Sequence, residues 1–211
     1  MRSSFILPAV VALLSLVPTA ASAAEFRFDR DPFRGSTALT TPGRQVVGIN
    51  EVQIPLFDVS TDVASFVLSA FGYAFDEDIA FYNGTAAGLP LAGGLNVIVL
   101  QDIDFDGNPA NGNALNAGQA ATLIANAIDI SGAGLFVYFN TALNVNRLVF
   151  STDLADPTAD LAILARFLNQ SGPAGIDDLP RYTAANFATV PAPAALGLFG
   201  LGFAALRLRR R

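Results

Sequence analysis

Apolar residues are distributed along this chain in two ways. Each end holds one largely uninterrupted apolar segment, Phe5 to Val17 and Ala194 to Leu206. Between them, apolar residues come in short runs separated by Gly, Pro, Asn and Asp, which is the pattern of strands and turns. Gln45 to Val59 carries Val46, Val47, Ile49, Val52, Ile54, Leu56 and Phe57, broken at Gly48 and Pro55, and predicts one or two strands. Val63 to Phe75 is a second β-prone run, and Ile79 to Tyr82 can pair with it. Leu95 to Gln101 and Leu135 to Asn140 are continuous apolar strands. Val145 to Ser151 follows Asn144 as a hairpin partner. Ala24 to Arg44 alternates in charge through Arg27, Asp29, Arg30, Asp31 and Arg34, and is expected to form an exposed lead-in.

Two segments carry helical spacing instead. Asn116 can cap a helix running to Ile128, with Ala120, Leu123, Ile124, Ala127 and Ile128 on one face. Asp156-Pro157 starts a second, with Leu161, Leu164, Phe167 and Leu168 as its stripe and Gly172-Pro173 as its stop. The expected fold class is therefore α+β: a single antiparallel β-rich domain with about two helices, spanning residues 24–189. Roughly 165 residues suffice to bury a core.

The two end segments are too short for ordinary membrane spans and carry different flanks. At the front, Arg2 precedes the apolar run, Pro18 ends it, and Ala21-Ser22-Ala23 supplies the small residues that a signal peptidase needs. Residues 1–23 thus read as a signal peptide cut after Ala23, with Ala24 as the alternative. An uncleaved anchor is the competing reading. No Cys follows, so lipid attachment at a cysteine is excluded.

Residues 190–211 have three parts. Val190-Pro191-Ala192-Pro193 is stiff and extended, because proline fixes its own φ and disfavours helix before it. Next comes an apolar segment that includes Ala194, Leu196, Leu198, Phe199, Leu201, Phe203 and Leu206. Arg207, Arg209, Arg210 and Arg211 close the chain. Thirteen helical residues reach about 20 Å, short of a roughly 30 Å hydrocarbon core, so Val190 to Pro193 and a snorkelling Arg207 must help to span it. The Arg cluster belongs on the cytoplasmic side.

This order of parts resembles the PEP-CTERM sorting signal of Gram-negative bacteria, in which a Pro-x-Pro motif precedes a short membrane helix and a terminal Arg cluster. The resemblance covers the last 22 residues, with Ala192 where the commonest form has Glu. It implies recognition by an exosortase, cleavage near Pro191 to Pro193, and passage from an inner-membrane intermediate facing the periplasm to the outer surface or extracellular matrix. It also implies association with exopolysaccharide and biofilm. An ordinary C-terminal anchor is the alternative. Leu135 to Phe187 is similar to a recurrent ectodomain of such proteins, and no chemistry follows from that likeness.

Composition narrows the chemistry further. The chain has no Cys, His or Lys, which removes disulfides, thiolates, the usual neutral-pH base and Schiff-base catalysis. Arg2, Arg207, Arg209, Arg210 and Arg211 lie in the ends. Seven Arg then face all eighteen acidic residues in the middle, a net charge of −11. That excess repels nucleic acid and keeps an exported domain soluble.

The sharpest motif is Asp102-Ile103-Asp104-Phe105-Asp106-Gly107-Asn108. Alternating carboxylates before a glycine turn are how oxygen-ligand calcium loops begin, so Asp102, Asp104, Asp106 and Asn108 are candidate calcium ligands, with Asn111 and Asn113 as further oxygens. The twelfth position, where such loops place a bidentate acid, is Asn113. The alternative is a strand end with Ile103 and Phe105 inward and the three Asp outward. Asp76-Glu77-Asp78 and Asp177-Asp178 read as solvated turns. Asn83-Gly84-Thr85 and Asn169-Gln170-Ser171 are short glycosylation triplets of little weight in a bacterial chain. Two functions follow. One is a non-enzymatic surface or matrix protein, with Tyr73, Tyr82 or Tyr138 as aromatic platforms for sugars. The other is a carboxylate-dependent glycan hydrolase.

Overall fold

The computed structural model describes residues 22–72, 78–90, 96–107 and 113–190. The predicted leader through Ala21, the tail from Pro191 to Arg211, and the candidates Tyr73, Asp76, Glu77, Asn108 and Asn111 lie outside these residues.

The lead-in is not loose chain. In β1 (Glu25–Phe28) the residues alternate, and Phe28 is buried while Glu25 and Arg27 face water. Farther along, Phe33 and Ala38 also enter the core, which the charge alternation had concealed. β1 lies parallel to β4 (Val63–Val67), and so does the last strand, β10 (Phe187–Val190). The first and last strands therefore flank β4 in one three-stranded sheet, with Phe28 opposite and stacked on Phe66. Helix α1 (Leu68–Phe71) continues from β4 and ends at Gly72, whose φ of 72° is a left-handed cap.

The remaining strands form a second sheet. β2 (Val46–Val47) and β3 (Val52–Ile54) occupy successive stretches of one edge of β9 (Leu161–Ser171). Residues 48–51 bulge out between them. The sheet then runs β9, β8 (Val145–Ser151), β7 (Gly134–Asn140), β6 (Val97–Leu100) and β5 (Phe81–Gly84). β5, β6 and β7 are mutually parallel, and only β7–β8 and β8–β9 are antiparallel. The expected antiparallel sheet is thus corrected to a mixed one in which most pairings are parallel. The reason is visible in β6. Its four residues are all fully buried, because a strand with both faces covered needs no polar alternation.

One face of the large sheet meets the small sheet through a phenylalanine-rich core that contains Val97, Val99, Leu135, Val137, Leu148, Phe150 and Phe167. The other face holds Ile98, Leu100, Phe136, Tyr138, Val149 and Ile163 beneath α2 (Ala117–Ala125). This helix begins where expected. Asn116 Oδ1 accepts from the Gln119 backbone amide at 3.0 Å and Gln119 Oε1 accepts from the Asn116 backbone amide at 3.0 Å, a complete capping box. Its buried face is Ala117, Ala120, Ala121, Ile124 and Ala125, small enough to seat the helix close to the sheet. Asn144 sits at φ 56° before β8, in the predicted hairpin turn.

The second predicted helix is a strand. Asp156 takes the amide and hydroxyl of Thr158 onto one oxygen, both at 2.7 Å, and closes a turn instead of capping a helix. The chain then enters β9 with Leu161 and Ile163 under α2 and Ala162, Leu164 and Phe167 on the phenylalanine side. An apolar run buried on both faces has no period of its own, so helix and strand look alike in it. Gly172-Pro173, expected to end a helix, instead starts α3 (Gly172–Asp178).

A polar knot lies inside this core. Gln170 Oε1 accepts from the Tyr182 hydroxyl at 2.8 Å and from Asn146 Nδ2 at 2.9 Å, and Asn146 Nδ2 also donates to the Gly175 carbonyl at 2.7 Å. Burial pushes the Tyr182 phenol far above its ordinary range, against the smaller opposing effect of the Gln170 bond. Burial raises Tyr138 too. A phenol whose folded pKa is raised contributes stability that is full below its unfolded value near 10. That contribution is lost as pH climbs from the unfolded value toward the folded one. Urea melts from pH 8 to pH 11 should show stability falling steeply above about pH 10. Tyr182→Phe should cost about 1–2 kcal/mol at neutral pH and flatten that alkaline fall.

Candidate functional site

Between the turn after β1 and the segment joining β2 to β3 lies a groove of about 500 Å³. Its floor is Phe28, Phe71 and Leu164. One wall is the turn after β1, from Asp29 to Pro32. The other is the bulge between β2 and β3, from Ile49 to Val52. Asn50 joins the two walls, donating to the Pro32 carbonyl at 3.2 Å and the Arg34 carbonyl at 3.0 Å.

The bulge is held to the sheet by ion pairs. Arg147 on β8 stands directly opposite Arg166 on β9. Two cross-strand guanidinium groups repel one another. Glu51 relieves them by accepting from Arg147 Nε and Nη2 at 3.0 and 2.8 Å, and from Arg166 Nη2 at 3.2 Å. The three side chains are 13%, 12% and 29% exposed, so the group is mostly shielded from water. Tyr138 completes the row across the sheet opposite Arg147 and accepts from Asn140 Nδ2 at 2.8 Å.

The other rim carboxylates bond within their own loop. Asp31 accepts from the Phe33 amide at 2.9 Å, and Asp29 pairs with the exposed Arg27 at 3.8 Å. The groove thus presents both signs of charge around an apolar floor, an arrangement that suits a polar ligand with an apolar face.

The acidic loop lies elsewhere, between β6 and α2. Asp102 Oδ2 accepts from the Ala86 amide at 2.7 Å, which ties the loop to the turn after β5. Asp104 accepts from the Gly107 amide, closing a turn in which Gly107 has φ 75°. Asp106 accepts from Asn113 Nδ2 at 2.8 Å. Each carboxylate is directed at a different neighbour. Among the described residues no group of three or more acidic side chains is placed to hold a metal. Ile103, expected inward on the alternating reading, is exposed, whereas Phe105 packs against the core under α2. These bonds hold the described part of the loop as a turn anchored to the segment after β5. Millimolar calcium or a chelator is expected to move the melting temperature by less than about 1 °C; a clear rise with calcium would show that the carboxylates regroup around the ion.

The other sequence candidates scatter. Tyr138 is fully buried, Tyr82 is half-buried and donates to the Thr85 carbonyl at 2.9 Å, and Asp178 pairs with Arg181 at 2.6 Å. Asn83 donates to the Leu179 and Tyr182 carbonyls, both at 2.9 Å, and Asn169 bonds the backbone of Phe57, so neither acceptor of the glycosylation triplets is a free surface amide. The sequence reading missed Glu51, Arg147 and Arg166. A signal was present: Arg147 and Arg166 are the single charges in two largely apolar strands, and a charge placed there requires a partner.

The layers define a mixed α/β domain with a phenylalanine-rich interface between its two sheets. No protein-family model, no curated protein and no solved structure matches the chain.

Proposed function

We propose that this chain is an exported cell-envelope protein that loses a leader at its front end and is processed by an exosortase at its back end. It then resides at the outer surface or in the extracellular matrix. Its role there is non-enzymatic and tied to exopolysaccharide. The observation that carries this reading is the order of parts after Val190: Pro191-Ala192-Pro193, an apolar segment of thirteen residues, and four Arg within the last five positions. A signal-peptide pattern at the opposite end supports it, since both require the intervening domain to lie outside the inner membrane. Two features of the domain are consistent with it. Among the described residues the strands begin at Glu25 and end at Val190, next to both processing segments, and the residues between carry the −11 charge of a soluble exported surface.

Cell fractionation followed by mass determination of the purified surface form tests this. A chain starting near Ala24 and ending between Val190 and Pro193 is expected. A surface form that still carries Arg211 would remove the sorting reading, and a chain that still carries Met1 would remove export through a cleaved leader.

A further inference from the structure

Asp62 stands at the start of β4 and is 5% exposed. Its Oδ1 accepts from the Ala24 amide at 2.8 Å and from the Thr61 hydroxyl at 3.2 Å, and its Oδ2 accepts from the Asp58 amide at 2.9 Å. Every one of these donors is neutral. The chain has no Lys or His, and among the described residues no Arg lies within ion-pair distance of Asp62. A buried carboxylate without a cation is costly, and proteins seldom leave one uncompensated.

We infer that Asp62 is the seat of the mature chain's N-terminal ammonium: removal of residues 1–23 converts the Ala24 amide into the cation that this buried carboxylate otherwise lacks. The inference rests on the export reading. Hydrolysis of the Ala23–Ala24 peptide bond gives the Ala23 carboxylate, which leaves with the leader, and the Ala24 amine, which takes up a proton. No side chain needs to move, because the nitrogen already lies 2.8 Å from Oδ1.

The same geometry selects between the two cleavage positions. The Ala24 carbonyl accepts from the Val63 amide at 2.9 Å, the first rung of the β1–β4 ladder. Cleavage after Ala24 would discard both that rung and the nitrogen that faces Asp62. Asp62 also links the two ends of the domain. Its backbone carbonyl accepts from Asn186 Nδ2 at 2.9 Å, immediately before β10. The mature N-terminus, the start of β4 and the start of β10 thus meet at one residue.

The absence of Lys makes the test selective, because the α-amine is then the only amine in the mature chain. Full-length protein should be exported with its own leader, purified in detergent and sequenced at its N-terminus. The α-amine is then labelled by reductive methylation with ¹³C-formaldehyde and titrated by NMR. A chain that begins at Ala24, with an amine pKa at least about one unit above the usual 7.7–8.0, is expected. Asp62→Asn should return that pKa to the ordinary range. A second form that keeps Ser22 and Ala23 should melt roughly 5–10 °C lower, and this gap should close in the Asp62→Asn background. If Asp62→Asn does not fold, the amine titration and the comparison with the extended form still decide the matter. A mature chain that begins at Glu25, an ordinary amine pKa, or equal melting of the two forms overturns the inference and leaves export intact. A retained leader overturns both.

Discussion

Replacing Phe150 with Ala is expected to destabilise the fold by about 3–5 kcal/mol and to lower the melting temperature by roughly 10 °C. Phe150 lies on the central strand β8, between Leu135 on β7 and Ala162 on β9, and has no exposed surface. Its ring is the meeting point of three parts of the chain. Phe71, at the end of α1, approaches edge-on with centroids 5.0 Å apart, and Phe33, from the segment after β1, approaches edge-on at 6.2 Å. Truncation therefore removes burial, leaves a cavity between the sheets, and loses the edge-on pairs with Phe71 and Phe33, each worth roughly 0.5–1.5 kcal/mol beyond its area. Phe150→Leu refills much of the volume and should recover about half of the loss. Leu143→Ala, at an exposed position in the turn before β8, should change stability by less than about 0.5 kcal/mol. Urea denaturation of the three variants checks the ranking. If Phe150→Ala cost no more than Leu143→Ala, the two sheets would not be packed through this ring.

Phe150 also shows what was legible in the sequence. Its strand and hairpin turn were readable, because Asn144 marks the turn and the apolar run after it is short and bounded. The Asn116 cap was readable for the same reason: a capping box is a local device that needs no partner beyond four residues. Three other features required the tertiary structure. β9 reads as a helix in the sequence because both its faces are covered, which erases the alternation that identifies a strand. Parallel pairing is invisible locally, since β6 and β7 are joined only through a long crossover that contains α2. β1 was hidden by the charges on its outward face. The groove was harder still. Glu51 lies 96 residues from Arg147 and 115 from Arg166, so only folding brings them together. The acidic run from Asp102 resembles a metal loop only through the closeness of its residues in sequence, and such closeness favours turns as much as metal sites.

Glu51→Ala is expected to cost about 2–4 kcal/mol, more than an exposed ion pair would suggest. The change leaves Arg147 and Arg166 side by side on neighbouring strands with no anion between them. Their like charges repel, and the low exposure of Arg147 limits rehydration. Arg166 is 29% exposed and can turn partly toward water, which keeps the loss below that of a sealed triad. Glu51→Gln should fall in between, retaining one acceptor oxygen without the charge. The loss should be localised as well. Residues 49–52 form one wall of the groove and lead into β3, so hydrogen exchange at Val52, Gln53 and Ile54 should accelerate before exchange in β6 or β7. The decisive comparison is a third variant, with Glu51→Met, Arg147→Met and Arg166→Leu together. Removing all three charges spares the desolvation cost of each, and that variant should be as stable as the parent chain or more so. Equal losses in the single and triple variants would mean that the charges hold the bulge by attraction. Recovery in the triple variant would mean that Glu51 is retained at the groove for its charge and shape, with little net contribution to stability.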